Sequence, residues 1–444
     1  MRFMVLAACV VLVAVLAQAE DLQVTVYNSN IGVVKATQTV KLERGVNTIS
    51  VTDVAARIDP TSVRLKIGGM GRIDVLEQNF EYDLVSPNRL LEKYIDNRIV
   101  AATTEDRVYA GKLLGFDNAN LVIATDDGKV AMVSRNKLSD IELGPGETGL
   151  ITRPTLFWKV DSSRRTSAMM ELAYITEGIN WHAEYVAILG QSDETMSLAA
   201  WVSIENRSGA TYPDARLKLV AGEIHRVRER PYPPTEEYKL ARAVAAPLAE
   251  RPFFEYHIYT LEGETTIRDR EVKQIRLFPE TEVTAEKEYN YDAQREDAVR
   301  VVMKFENSSE AGLGFALPAG KVRVYKADED GSLEFVGEDA IDHTPKDEQV
   351  KIYIGNAFDI TATRTRTDYK KISERRIEES FEIEIANHKE QDVMVVVTEH
   401  IYGDWQIKRS SHAYEKTKAN EVEFKVDVPA NGKAVLSYTV RRRF

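Results

Sequence analysis

Cysteine is almost absent: Cys9 is the only one in 444 residues. Basic tracts are as scarce, none longer than Arg441–Arg443, and 58 basic residues face 70 acidic ones. That balance argues against a nucleic-acid partner, whose phosphates require clustered cations. No apolar run beyond the N-terminus approaches the ~20 residues that cross a bilayer as a helix. Catalytic signatures are missing as well. There is no G-x-S-x-G elbow and no H-E-x-x-H pair. Gly314 to Gly320-Lys321 resembles a phosphate loop, but one residue too many separates its glycines. It also places Val322 where a hydroxyl should meet magnesium.

What is present begins at the first residue. Arg2 is followed by an apolar run from Phe3 to Leu16 and then by Ala17-Gln18-Ala19, a small-x-small cleavage site before Glu20. The run is too short to span a bilayer, so residues 1–19 are expected to be a signal peptide that is removed. Leu6-Ala7-Ala8-Cys9 imitates a lipoprotein box, but a cut there leaves too short an apolar segment and strands Val10–Leu16 on the mature end. The expectation is export, periplasmic or secreted, of a mature chain without cysteine. Disulfides, thiol catalysis and cysteine zinc sites are then excluded, and stability has to come from burial.

Alternating apolar residues dominate from Leu22 onward. "LQVTVY" (22–27), "ARLKLVAG", "VRVVMKFEN", "EFKVDV" and "AVLSYTV" all read as half-buried strands. Arg44-Gly45, Asp59-Pro60, Asp127-Gly128, Asp330-Gly331 and Asn431-Gly432 punctuate them as turns. Strands at this spacing without helical crossovers predict an all-β, multidomain chain of stacked β-sandwich modules. The expected units are an N-terminal β module at 20–87, a small SH3- or Sm-like barrel insertion at 88–148 and a sandwich at 149–228. A Pro-rich linker with following strands at 229–298 and a C-terminal sandwich at 299–444 complete the chain. Within the linker, Thr235 predicts the N-cap of one short helix with Tyr238, Ala241, Val244 and Leu248 on one face, stopped or kinked by Pro247. Three strands end alike, at Asn206, Asn307 and Asn387, each followed by polar turn residues. An asparagine suits a strand exit because its side chain closes an Asx-turn.

Chemistry is sought first in "IDHTPKDE" (341–348), where His343 lies among acidic residues. His343, Asp347 and Glu348 are the catalytic candidates. The preferred reading is a polar strand connection, since Pro345 holds Thr344 extended and the charges that follow face water. Asp328 and Asp330 are the metal candidates, because "KADEDGSLEFVGED" partly fits a calcium loop. Lys326 and Gly337 stand where that loop needs carboxylates, so a tight Asp-Gly hairpin is preferred. The seven histidines are scattered, with no i, i+2 pair on one strand face. No cofactor is expected.

Several stretches carry a resemblance. "VYNSNIGVVK", "ARIDPTSVRL", "LVSPNRLLEKYI", "PTLFW", "GINWHAEY", "NRSGATYPDARLKLVAG", "LPAGKVRVYKADEDG", "GEDAIDHTPKDE" and "GNAFDITATRT" together resemble the exported bacterial proteins of domain-of-unknown-function family 4139, relatives of mucoidy inhibitor A. The resemblance covers nearly the whole mature chain. It implies no reaction, and no catalytic residue is carried over. The expectation is therefore a non-enzymatic exported β-protein of the cell envelope or secreted fraction that binds a macromolecular or surface-polymer partner, an envelope protein or a polysaccharide. The alternatives are a hydrolase or polysaccharide-processing enzyme with carboxylates from different strands, and a self-assembling surface protein.

Overall fold

The computed structural model describes residues 10–15, 19–81, 87–144, 153–222, 241–242, 248–253, 256–295, 298–328 and 330–443. Strands build almost all of it. Alternation becomes burial directly: in Asp21–Tyr27, Leu22, Val24 and Val26 face inward while their neighbours stay half exposed.

Two large sheets form the first sandwich. One has seven strands, with Asp21–Tyr27, Ile31–Leu42, Thr166–Glu177 and Tyr212–Ala221 at its centre. Residues of 20–87 and 149–228 thus share one sheet. The other has six strands, among them Ile179–Leu189, Thr195–Asn206 and Glu271–Thr284. Aromatic residues lock the two layers together. Trp181 meets Tyr259 edge-on at 6.0 Å between ring centroids, and its indole N–H donates to the Val220 carbonyl at 3.1 Å. His182, one residue on, points to the surface. A four-stranded sheet containing Gly45–Thr52, Thr155–Ser162 and Ile73–Glu81 adds Ile49, Leu156 and Trp158 to the same core. At its edge Val10–Val15, inside the expected signal peptide, runs parallel to Asn47–Thr52.

The second sandwich packs a six-stranded sheet on a four-stranded one around its own core. The four-stranded sheet runs Ile360–Ser373, Arg376–Asn387, Gly432–Arg443 and Asp404–Ser410. The chain moves between the two sandwiches three times. It leaves the first after Glu271–Thr284 to form Glu286–Asp292 and Arg300–Glu306. It returns for Gly320–Ala327 and Leu333–Ile341, then leaves again for Gln349–Asn356. Gly320–Ala327, within the expected C-terminal module, therefore belongs to the first sandwich, parallel to Ile179–Leu189. Gly320 permits the approach, since a Cβ there would lie 2.3 Å from the Ala183 carbonyl oxygen.

The insertion has its own small core and five strands, in the order Val130–Ser134, Asn120–Thr125, Val108–Phe116, Arg98–Thr103, Leu138–Leu143. "NRIVAAT", "VYAGKLLGF", "NLVIAT" and "KVAMVS" read as four close strands in the sequence; a fifth, Leu138–Leu143, returns to pair with Arg98–Thr103. The α-helix among the described residues is Pro87–Lys93, at the entry to this unit. Of the linker helix expected from Thr235, Tyr238 and Val244 lie outside the described residues. Ala241–Arg242 instead pairs with the six-stranded sheet, and Leu248–Phe253 pairs antiparallel to Tyr256–Ile267.

The three asparagine exits share one geometry. Each is fully buried, and each amide donates to three backbone carbonyls. Asn206 reaches Ala210, Ile267 and Arg268; Asn307 reaches Phe315, Thr344 and Pro345; Asn387 reaches Gln391, Val428 and Pro429. Each carbonyl oxygen in turn accepts a backbone N–H, from Ser208, Gly314 and Lys389 respectively. One corner is used three times.

Candidate functional site

The histidine loop is held as a connection. His343 Nδ1 accepts from the Ala319 N–H at 3.0 Å, and Nε2 lies 3.3 Å from the Asn28 amide. The Thr344 and Pro345 carbonyls receive Asn307, and the Glu348 carbonyl receives the Asn307 N–H at 2.9 Å. Asp347 has φ +64 and its N–H donates to the Asn307 carbonyl. The side chains of Asp347 and Glu348 are exposed. The loop thus closes the Asn307 corner. Asp328 and Asp330 belong to a hairpin turn in which Gly331, at φ +83, donates to the Asp328 carbonyl. The Asp330 carboxylate accepts the Ser332 N–H at 2.8 Å, a bond that lowers its pKa. Among the described residues, no group of three or more His, Cys, Asp or Glu side chains could hold a metal ion.

A different place concentrates charge. At one end of the second sandwich the four-stranded sheet outruns its partner, leaving a cleft of about 830 Å³. Inward positions that carry Ile360 and Ala362 in the core continue as Arg364 and Arg366 toward the cleft. Along Arg376–Asn387 the inward column Ile385, Ile383, Phe381 ends in Glu379; along Gly432–Arg443, Leu436, Tyr438 and Val440 end in Arg442. From the facing sheet, Glu399 follows Val395 and Val397 in the same phase.

Two buried carboxylates organise the guanidinium groups. Glu399, 0% exposed, accepts from Arg364 Nε at 2.7 Å and Nη2 at 3.3 Å, and from the Gln294 amide at 2.7 Å. Burial alone would weaken the Arg364 charge; the Glu399 carboxylate outweighs it and raises the pKa. Arg364 also stacks on the Phe381 ring, 3.9 Å from its centroid. Glu379, 4% exposed, pairs with Arg366 at 3.2 Å and with Arg442. Burial, reinforced by Glu399, holds the Tyr438 hydroxyl well above its ordinary pKa, so it stays neutral. Across the cleft, His400 Nε2 sits 2.9 Å from Asp292 Oδ2.

A guanidinium carries five N–H donors in a planar fork. Arg366 is exposed, uses Nη1 on Glu379 and lies over the Tyr369 ring at 5.3 Å, and it lines the cleft with the other donors of its fork unused by carboxylates among the described residues. The arrangement suits an incoming oxyanion. Sequence reasoning missed these residues, although a signal existed: a charged residue in phase with the core face of an alternating strand.

The chain belongs to the family described as Domain of unknown function (DUF4139), which matches residues 170–444. That span contains the whole second sandwich and the cleft. No curated protein matches the chain.

Proposed function

We propose that this DUF4139 protein is exported, periplasmic or secreted, and acts without catalysis by binding a surface polymer through its acidic groups, which enter the C-terminal cleft. One observation carries the reading. The cleft mouth presents guanidinium groups already oriented by buried Glu379 and Glu399, so little side-chain entropy is lost when an oxyanion arrives. Export rests on the Arg2, Phe3–Leu16 and Ala17-Gln18-Ala19 pattern. Cleavage after Ala19 removes the Val10–Val15 strand and makes Gly45–Thr52 the edge of its sheet.

The hydrolase reading has one observation in its favour: Glu379 and Glu399 come from different strands and face one cleft. Both are already engaged by arginines, Glu399 by Arg364 and Glu379 by Arg366 and Arg442, which leaves neither aimed at a substrate oxygen. The test uses residues 20–444 electrophoresed through gels containing polygalacturonate or neutral dextran. Polygalacturonate should retard the protein and dextran should not. Arg366→Ala should weaken the retardation about ten-fold, the worth of one charged hydrogen-bonding group. An unretarded wild type, or an Arg366→Ala variant equal to it, overturns the proposal. Reducing ends released by the wild type and lost in Glu379→Gln would hand the cleft to the hydrolase reading.

A further inference from the structure

The hairpin Ile360–Ser373/Arg376–Asn387 is longer than the core it covers. Every residue from 365 to 376 is exposed, so its outer half projects from the sandwich. Its composition is unlike the rest of a chain whose net charge is −12. Lys370, Lys371, Arg375 and Arg376 share this exposed hairpin end with Tyr369, 51% exposed, and Ile372, 42% exposed. On the neighbouring strand Arg443 is the register partner of Arg376, which places two arginines directly opposite each other. Like charges so placed repel and cost stability. Carboxylates answer part of this charge: Lys371 pairs with Glu374, and Arg441 with Glu378. Among the described residues Lys370, Arg375, Arg376 and Arg443 make no ion pair.

Cations around an exposed aromatic and an exposed aliphatic side chain, on a convex tip, form an amphipathic surface of the kind that seats on lipid headgroups. We propose that this tip docks the protein on an anionic phospholipid surface, with the four unpaired cations on headgroup phosphates and Tyr369 and Ile372 at the acyl boundary. A flat, charged and apolar partner fits better than a soluble polyanion, which would leave Tyr369 and Ile372 in water. The net charge of −12 repels the rest of the chain from such a surface, so adhesion has to come from a local site. The tip meets the cleft at Tyr369 alone, whose ring lies 5.3 Å from the Arg366 guanidinium; Lys370, Ile372, Arg375, Arg376 and Arg443 do not line the cleft, so the lysine and arginine variants test the tip by itself.

Residues 20–444 would be sedimented with vesicles of phosphatidylcholine alone or of equal parts phosphatidylglycerol and phosphatidylcholine. Binding should need phosphatidylglycerol and fall with salt. Each cation reversed should lower partition by roughly five-fold or more, so Lys370→Glu with Arg375→Glu should abolish it. Tyr369→Ser with Ile372→Ser should weaken it at every salt concentration, and Lys35→Glu, on an exposed position of the first sandwich, should leave it unchanged. Circular dichroism of each variant checks that the exposed substitutions leave the fold intact. No binding to phosphatidylglycerol vesicles, or binding that Lys35→Glu lowers as much as the tip variants, overturns the proposal. Tip variants that lose polygalacturonate retardation while keeping vesicle binding would also overturn it, by assigning the tip to the polymer.

Discussion

The two ends of the four-stranded sheet in the second sandwich solve the problem of ending a buried face in opposite ways. At one end Asn387 caps the sheet with a neutral amide whose donors and acceptor are all used on fixed backbone groups. At the other, Arg364, Arg366 and Arg442 are pinned by two glutamates, and their forks extend toward an opening. A satisfied neutral cap has no donor to offer a ligand. A guanidinium anchored through part of its fork does. The asparagine corner is used three times, whereas three arginines held by two buried glutamates meet at the cleft.

Removing each anchor tests this division. The largest loss is expected for Glu399→Ala, which leaves Arg364 partly buried without its counter-charge. It should cost about 3 kcal/mol, discounted because Arg364 retains some contact with water. Asn387→Ala should follow at about 2 kcal/mol, since three carbonyls lose their donor. Both appear as lower denaturant midpoints with unchanged slopes. The contrast lies in binding: Glu399→Ala should impair polygalacturonate retardation and Asn387→Ala should not, at temperatures where each stays folded. A reversed order of the two losses would make the closed end the more strained one. His343→Ala should have the smallest effect, about 1 kcal/mol, for exposed ring hydrogen bonds with the Ala319 N–H and the Asn28 amide. If it abolished binding while stability held, the loop of residues 341–348 would be a site and the division would fail.

Much of the fold was legible because alternation reports which side of a strand is buried. "LQVTVY" specified Leu22, Val24 and Val26, and alternation in "INWHAEYV" separates Trp181 and Tyr185, both buried, from His182, which is exposed. The asparagine exits were legible too, since the side chain acts on nearby backbone. Alternation does not say which strand lies alongside. The return of Gly320–Ala327 to Ile179–Leu189 and the fifth strand Leu138–Leu143 were therefore missed. The cleft was half legible. Arg364 and Arg366 keep phase with Ile360 and Ala362, which marks them as inward-facing. That Glu399 waits 35 residues on to receive Arg364 is a fact of tertiary packing.

The three passages of the chain between its sandwiches have a mechanical consequence. Two bodies joined by one tether can swing and twist about it. Three connections, near residues 285, 306–320 and 341–349, restrict such swinging more than one tether would. A load applied at the projecting hairpin is then shared among three backbone paths into the first sandwich rather than one.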